Sequence, residues 1–292
     1  MSLSGERIVI LGAGQVGCAL HAVLTHQRGI SCTLLSHGEA DITNLAELRR
    51  RLLPLRPTIL LHTAAFTKVN ECERDPERAF AVNAGGTMNV LKVAREHEAR
   101  LIYFSTDYVF PGKLLGEYAE NEATRPLNIY GTSKLEGERI TLEYERGTVL
   151  RTAQVFAAIG RNFPVAVFAQ YEKEKVVQVV DDEFATPTYA VHLAEAVPAF
   201  LSVAGPGIYH LRGPEELTYY DFARRLFAAA GLPDHGVQPT TSQLLRLPAK
   251  RPQRAVLSMK RYFSHGLPPL PPLWQAVAEF AERSRIPVAE RE

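Results

Sequence analysis

Residues 7–17 read Arg7-Ile8-Val9-Ile10-Leu11-Gly12-Ala13-Gly14-Gln15-Val16-Gly17. A short Ile/Val/Leu run ends here in a Gly-x-Gly-x-x-Gly turn that opens a helix-period stretch. That order predicts a buried parallel strand feeding a helix through a phosphate-binding loop. Gly12 permits the tight turn, Gly14 lets backbone approach a pyrophosphate, and Gly17 lets helix and sheet pack closely. Free N–H groups at the helix start face an anion, which adds Gln15 and Val16 to the candidate dinucleotide contacts.

Working outward, brief Val/Ile/Leu/Tyr-rich runs at 31–35, 58–62, 100–104 and 148–151 alternate with helix-period stretches. Strands of this kind, apolar throughout, belong to a parallel sheet buried on both faces, so the fold class is α/β: a Rossmann-type doubly wound parallel sheet over residues 1–155. Residues 76–98 read as one helix, with Asp75 as N-cap and Pro76 in its first turn. From Phe156 onward the elements shorten. Helices are expected at 162–172, 191–201 and 219–230 and strands at 176–180 and 207–211, forming a second, smaller α+β unit over 156–292. The run from Pro268 to Pro272 is either a polyproline ligand or, the favoured reading, a loop that orders the last helix from Trp274. Arg49, Arg50 and Arg51 lie among leucines on a helix and read as its solvated face.

The chain has 292 residues with 33 Lys+Arg against 32 Asp+Glu, a formal net charge of +1. That balance gives no electrostatic footprint for nucleic acid or an anionic membrane, so the expected partner is a small molecule held by a local pocket. Cys18, Cys32 and Cys72 form no CxxC pair, the start lacks the apolar stretch of a signal peptide, and no apolar run is long enough to span a bilayer. A soluble cytoplasmic protein is expected.

Where the second strand ends, NAD-preferring sites offer Asp or Glu to the ribose 2′-hydroxyl; here stand Ser36, His37 and Gly38, with no carboxylate. Ser36 and His37 can donate to a 2′-phosphate, so NADPH is favoured over NADH. Asp41 with Thr43 either touches the adenine or caps the next helix. Tyr130-Gly131-Thr132-Ser133-Lys134 puts a phenol and an ammonium one helical turn apart on one face. A phenol near pKa 10 needs help to exchange protons at neutral pH, and Lys134 is placed to stabilise the phenolate. Ser105-Thr106-Asp107 ends the fourth strand at the carboxyl edge of the sheet, where open α/β folds bind ligands. The nine histidines show no HExxH or HxH spacing, and no GxSxG elbow is present, so neither a metal site nor a covalent nucleophile is expected. His62, in an apolar strand, reads as a core histidine.

Taken together, these motifs resemble those of extended short-chain dehydrogenases/reductases, and the intervening stretches resemble the dTDP-4-dehydrorhamnose reductase family. They are His62-Thr63-Ala64-Ala65-Phe66-Thr67, Val82-Asn83, Ser105-Thr106-Asp107-Tyr108-Val109-Phe110, Pro126-Leu127-Asn128-Ile129 running into the Tyr130 motif, Leu150-Arg151-Thr152 and Lys250-Arg251-Pro252. The resemblance implies a substrate unit partly interleaved with the sheet unit, which receives parts of 186–212. Thr106, Tyr130 and Lys134 are then the catalytic trio, reducing the C4 ketone of a 4-keto-6-deoxy nucleotide sugar. Asp41, Ile42, Ala64, Ala65, Thr67 and Asn83 join the cofactor contacts, and Asp107, Tyr108, Gln154 and Arg251 join Thr106 at the substrate. A rival reading is a non-catalytic NADP-binding protein similar to the regulatory subunit of methionine adenosyltransferase. The chain also departs from the family. Gln154 stands where a tryptophan is usual, Ala19 and Val191 stand where some members bridge magnesium between subunits, and Asp182-Glu183-Phe184-Ala185-Thr186-Pro187-Thr188 replaces Asp-Gln-x-Gly-x-Pro-Thr. No metal-bridged dimer is implied; the chain is expected as a monomer or homodimer.

Overall fold

The structure, a computed structural model, describes residues 3–113 and 115–284. Its centre is a six-stranded sheet in the order Gly207–His210, β5 (Gly147–Thr152), β4 (Arg100–Thr106), β3 (Ile59–His62), β1 (Arg7–Leu11), β2 (Ser31–Leu35). Every pairing in it is parallel. The chain leaves β1 for β2 on one side and returns to β3 on the other. The switch point therefore lies between β1 and β3, with the glycine loop and the Thr63–Phe66 segment at its carboxyl end. Strand β4 runs two residues beyond the expected 100–104, carrying Thr106 into register with Thr152 of β5.

Apolar layers cover both faces. One gathers Leu20, Leu193, Val197 and Phe200 against Ile10 and Ile102. The other gathers Leu48, Val90, Leu91 and Ala94 against Val9 and Leu101. The helix Ala190–Val203 comes from late in the chain to pack on the helix Gln15–Leu24, and the strand Gly207–His210 completes the sheet edge beside β5. A separate core of Phe156, Phe168, Phe222, Phe227 and Phe280 is built from the later elements, including the helices Phe163–Glu174, Tyr219–Ala229 and Leu273–Ser284. Leu267 and Leu270 are buried around the proline run, which thus acts as the ordering loop before the last helix. Arg49 pairs with Glu96, and Arg50 is 74% exposed beside Glu47, as a solvated face requires.

The expected single helix at 76–98 is corrected. It consists of Pro76–Phe80, a π-helical stretch Ala81–Gly86, and Thr87–Glu96. The widened turn holds Asn83, whose buried amide accepts from the Phe66 N–H at 2.7 Å and donates to the Phe66 carbonyl and the Ser133 hydroxyl. These side-chain bonds supply what regular i→i−4 periodicity does not, and apolar spacing carries no sign of them. No helix among the described residues is long and apolar enough to cross a membrane.

Candidate active site

The glycine loop is tied to the strands on either side. Gly12 donates to the Leu35 carbonyl at 2.9 Å, and the Thr63 hydroxyl donates to the carbonyls of Leu11 and Gly12. Gly12 adopts φ +107°, and a Cβ there would sit 2.6 Å from the Ala64 nitrogen; a Cβ on Gly17 would strike the Gly12 carbonyl oxygen. Both glycines are needed by the chain itself. Gly14 is different, because a Cβ on it would meet nothing within 4 Å. It heads the helix Gln15–Leu24 as its N-cap, with no side chain capping the free N–H groups. Open space at a bare helix start is what a pyrophosphate requires, so the residues present fit a dinucleotide. Gln15 is committed elsewhere: it accepts from the Asn162 amide at 2.9 Å and reaches the Arg161 carbonyl, tying the loop to the second unit. Val16 packs into the core.

At the end of β2 the structure corrects the reading that no carboxylate is present. Glu39 turns back so that its Oε2 accepts from the Ser36 N–H at 2.8 Å and the Ser36 hydroxyl at 2.6 Å. His37 is exposed, 3.8 Å from Asp41. Asp41 does not cap the next helix. Its Oδ1 accepts from the N–H and hydroxyl of Thr43, while Asn44 caps Leu45–Leu52 through the Glu47 N–H. Ile42 is buried against Gly86. Ala64 and Ala65 are half-buried beyond β3 and Thr67 is exposed. Asn83 is buried, its amide bonded to the Phe66 backbone and the Ser133 hydroxyl.

The Tyr130 motif sits in the first turns of the helix Ile129–Leu142. Asn128 caps it by accepting from the Gly131 N–H at 2.7 Å, and its amide donates to the Lys250 carbonyl. Gly131 is required because a Cβ would strike the Tyr108 carbonyl oxygen, which is how the helix start docks on the end of β4. There the Thr106 hydroxyl caps the short 3₁₀ turn Asp107–Val109 through the Tyr108 N–H, and donates to Asp107 Oδ1 at 3.0 Å. The Tyr130 phenol lies close enough to Thr106 for that hydroxyl to act to lower its pKa, but burial outweighs it and pushes the phenol well above the ordinary tyrosine value. Burial likewise lifts Asp107 to about 7.

Lys134 is found elsewhere than the spacing suggests. Its Nζ donates to the Phe104 carbonyl at 2.7 Å and lies 4.0 Å from the centre of the Tyr103 ring. Thr106, not Lys134, is the group whose hydroxyl acts on the Tyr130 phenol. The long lysine stem turns toward the sheet, where a carbonyl and a ring face compete for its ammonium. Burial lowers Lys134 to about 7, with Glu138 one turn on acting to raise it. His62 is a core histidine, its Nε2 3.0 Å from the Thr87 hydroxyl and its pKa lowered to about 3 by burial and by Lys134.

A cleft of about 720 Å³ is lined by Lys113, Arg125, Arg246, Lys250, Arg251 and Arg254, with Glu183 as its acid; Thr106, Tyr130 and Lys134 are not among its lining residues. Arg251 donates to Asn70 Oδ1 at 3.2 Å and its field reaches Tyr108, Glu183 and Tyr219. The Tyr219 phenol acts on the pKa of Tyr108 and feels the charge of Asp107, which places it near the end of β4. Tyr219, Asn70 and Arg246 escaped sequence reasoning, and Glu183 entered it only within the 182–188 departure. Only the Lys250-Arg251 pair gave a local signal, since the cleft assembles segments more than a hundred residues apart.

The family described as the RmlD substrate binding domain matches residues 6–286. The chain is 36% identical over 272 residues to a dTDP-4-dehydrorhamnose reductase of Streptomyces griseus, covering 90% of this chain and 89% of that one. This chain belongs to the dTDP-4-dehydrorhamnose reductase family. A dTDP-4-keto-6-deoxy-D-glucose reductase of Streptomyces niveus is 33% identical over 91% of this chain and 93% of its own length. Among solved structures, the Bacillus anthracis dTDP-4-dehydrorhamnose reductase in complex with NADP superposes with a TM-score of 0.90 at 28% identity, covering 96% of this chain and 99% of that one.

Of the positions that depart from the family pattern, Glu183 lines the cleft. Gln154, half-buried, takes a left-handed backbone with φ 44° and its carbonyl accepts from the Thr188 N–H at 3.1 Å. Asp182 holds the N–H and hydroxyl of Ser242, each at 2.8 Å, at the start of the 242–248 segment that lines the cleft. Ala19 packs against the core of the sheet unit and Val191 against the second core.

Proposed function

We propose that this protein reduces the C4 ketone of a 4-keto-6-deoxy nucleotide sugar, most simply dTDP-4-dehydro-L-rhamnose, using NADPH, in the cytoplasm and as a monomer or homodimer. The single observation that carries the reading is the meeting of the Thr106 hydroxyl and the Tyr130 phenol at the carboxyl end of β4, with Lys134 a turn behind.

The sheet unit, residues 1–155 with parts of 186–212, holds the coenzyme through Gly12–Gly17 and the ends of β2 and β3; most of the remaining chain holds the sugar nucleotide. Bound there, NADPH supplies a hydride. The chain's own residues handle the oxygen. Tyr130 donates its phenolic proton to the alkoxide that develops on the substrate, and Thr106 hydrogen-bonds the same oxygen. A phenol raised by burial stays protonated at neutral pH, the form a reductive acid needs. Lys134, one turn behind and bonded to the Phe104 carbonyl, is the residue that binds the nicotinamide ribose. The basic cleft suits the diphosphate of the nucleotide, and Arg251 lies between that cleft and Tyr108.

A non-catalytic NADP-binding role is not favoured, because the relatives matched over nine-tenths of the chain are named as reductases. The test is to supply NADPH with a panel of 4-keto-6-deoxy nucleotide sugars and follow loss of nicotinamide absorbance. Turnover on at least one is expected. Tight NADPH binding with turnover on none would overturn the enzymatic reading.

A further inference from the structure

We propose that Glu39 sets how strongly this protein discriminates NADPH from NADH, its carboxylate standing where the adenosine ribose approaches the end of β2. The inference rests on the dinucleotide reading of the glycine loop and deepens it.

Ser36 is the first residue beyond β2, and its neighbour Leu35 accepts the Gly12 N–H at 2.9 Å, so the end of β2 lies directly beside the phosphate loop. In an open α/β sheet this is the place where an acid accepts the 2′-hydroxyl of NADH, and where a 2′-phosphate meets whatever the chain offers instead. The sequence offers a serine there. The turn that follows, closed by the N–H groups of Glu39 and Ala40 on the Ser36 carbonyl, swings the carboxylate of Glu39 back onto that serine. Its Oε2 then takes both Ser36 donors, the N–H at 2.8 Å and the hydroxyl at 2.6 Å. These are the donors a 2′-phosphate would use.

A phosphate entering here therefore meets a negative charge and loses two hydrogen-bond donors, whereas a ribose hydroxyl finds an acceptor. The Ser36 hydrogen bonds hold the Glu39 carboxyl below its ordinary range, so the acid is charged at neutral pH. The neighbouring charges are Asp41, His37 and Arg51, and the field of Arg51 reaches Glu39. The same contacts also form half of a capping box, a purely local brace for the turn. A brace would act on both coenzymes alike, which separates the two roles.

The experiment is calorimetric titration of the full chain and of Glu39→Gln with NADPH and, separately, NADH, without sugar substrate. Glu39 is exposed, so the variant keeps its core. The expected result is NADPH affinity about three- to tenfold higher in the variant, with NADH affinity unchanged or lower. An unchanged ratio of the two affinities, including a parallel shift of both, overturns the inference and leaves Glu39 as a turn brace. Failure of the unsubstituted protein to bind either nucleotide overturns the dinucleotide reading, and this inference with it.

Discussion

Gly14 and Tyr130 carry the account at the scale of single residues, and they differ in what the surrounding chain asks of them. Because a Cβ at Gly14 meets nothing within 4 Å, Gly14→Val should fold normally and lose most of its NADPH affinity, the branched side chain occupying the open helix start. Paired thermal melts and coenzyme titrations check this; unchanged affinity in a folded variant removes Gly14 from the site. The glycine roles and the Tyr130 to Lys134 spacing were legible because turn geometry and helical periodicity are local. The hydrogen bonds of Lys134, Gln15 and Asn83 were not. Each long or amide side chain chooses among partners supplied by distant strands and loops, and Glu39 supplied a carboxylate that the strand end itself lacks.

At the scale of elements, the helix Ile129–Leu142 is the part everything else aligns. Asn128 starts it, Gly131 and Gly137 let it sink onto the Tyr108 carbonyl and the Tyr103 ring, and Glu138 locks it to β5 through a fully buried ion pair with Arg151 at 2.7 Å. The Ser105 hydroxyl donates to the same glutamate at 2.5 Å, fixing the helix to β4 one residue before Thr106. Removing one partner of such a pair leaves the other charge buried and unpaired. Glu138→Gln should therefore destabilise the protein by about 3–5 kcal/mol, read as a lower denaturant midpoint. A loss under about 1 kcal/mol would show that the pair is well hydrated. Element identities were readable along most of the chain, but the π-helical turn was not, because the wide turn reflects side-chain bonds of Asn83 and leaves no periodic trace.

For the whole molecule, a parallel sheet presents its loops and Thr106 at one edge, and a basic cleft opens between the 111–127 and 242–254 segments. The cleft was not legible, since its residues come from 111–127, 183 and 242–254 with no common motif. Packing the lysine under the sheet edge also has a global consequence through His62, which is neutral in the folded state with a pKa near 3. The unfolded chain binds its proton near pH 6.5. The contribution of His62 is thus complete above that value and is lost as pH falls toward 3, about 2 kcal/mol of it by pH 5. His62→Gln should lose that much less stability than the unsubstituted protein between pH 7 and pH 5 in denaturant titrations, whatever its constant offset. Equal slopes would place the histidine in contact with water. The central claim, that Tyr130 is the acid of a sugar-ketone reductase, is tested most directly by single-turnover reduction of the best 4-keto-6-deoxy nucleotide sugar by preformed NADPH complexes of the unsubstituted protein and of Tyr130→Phe. A rate about 10²- to 10⁴-fold lower with NADPH affinity nearly intact is predicted; a near-normal rate in the phenylalanine variant would contradict it and assign the proton to another group.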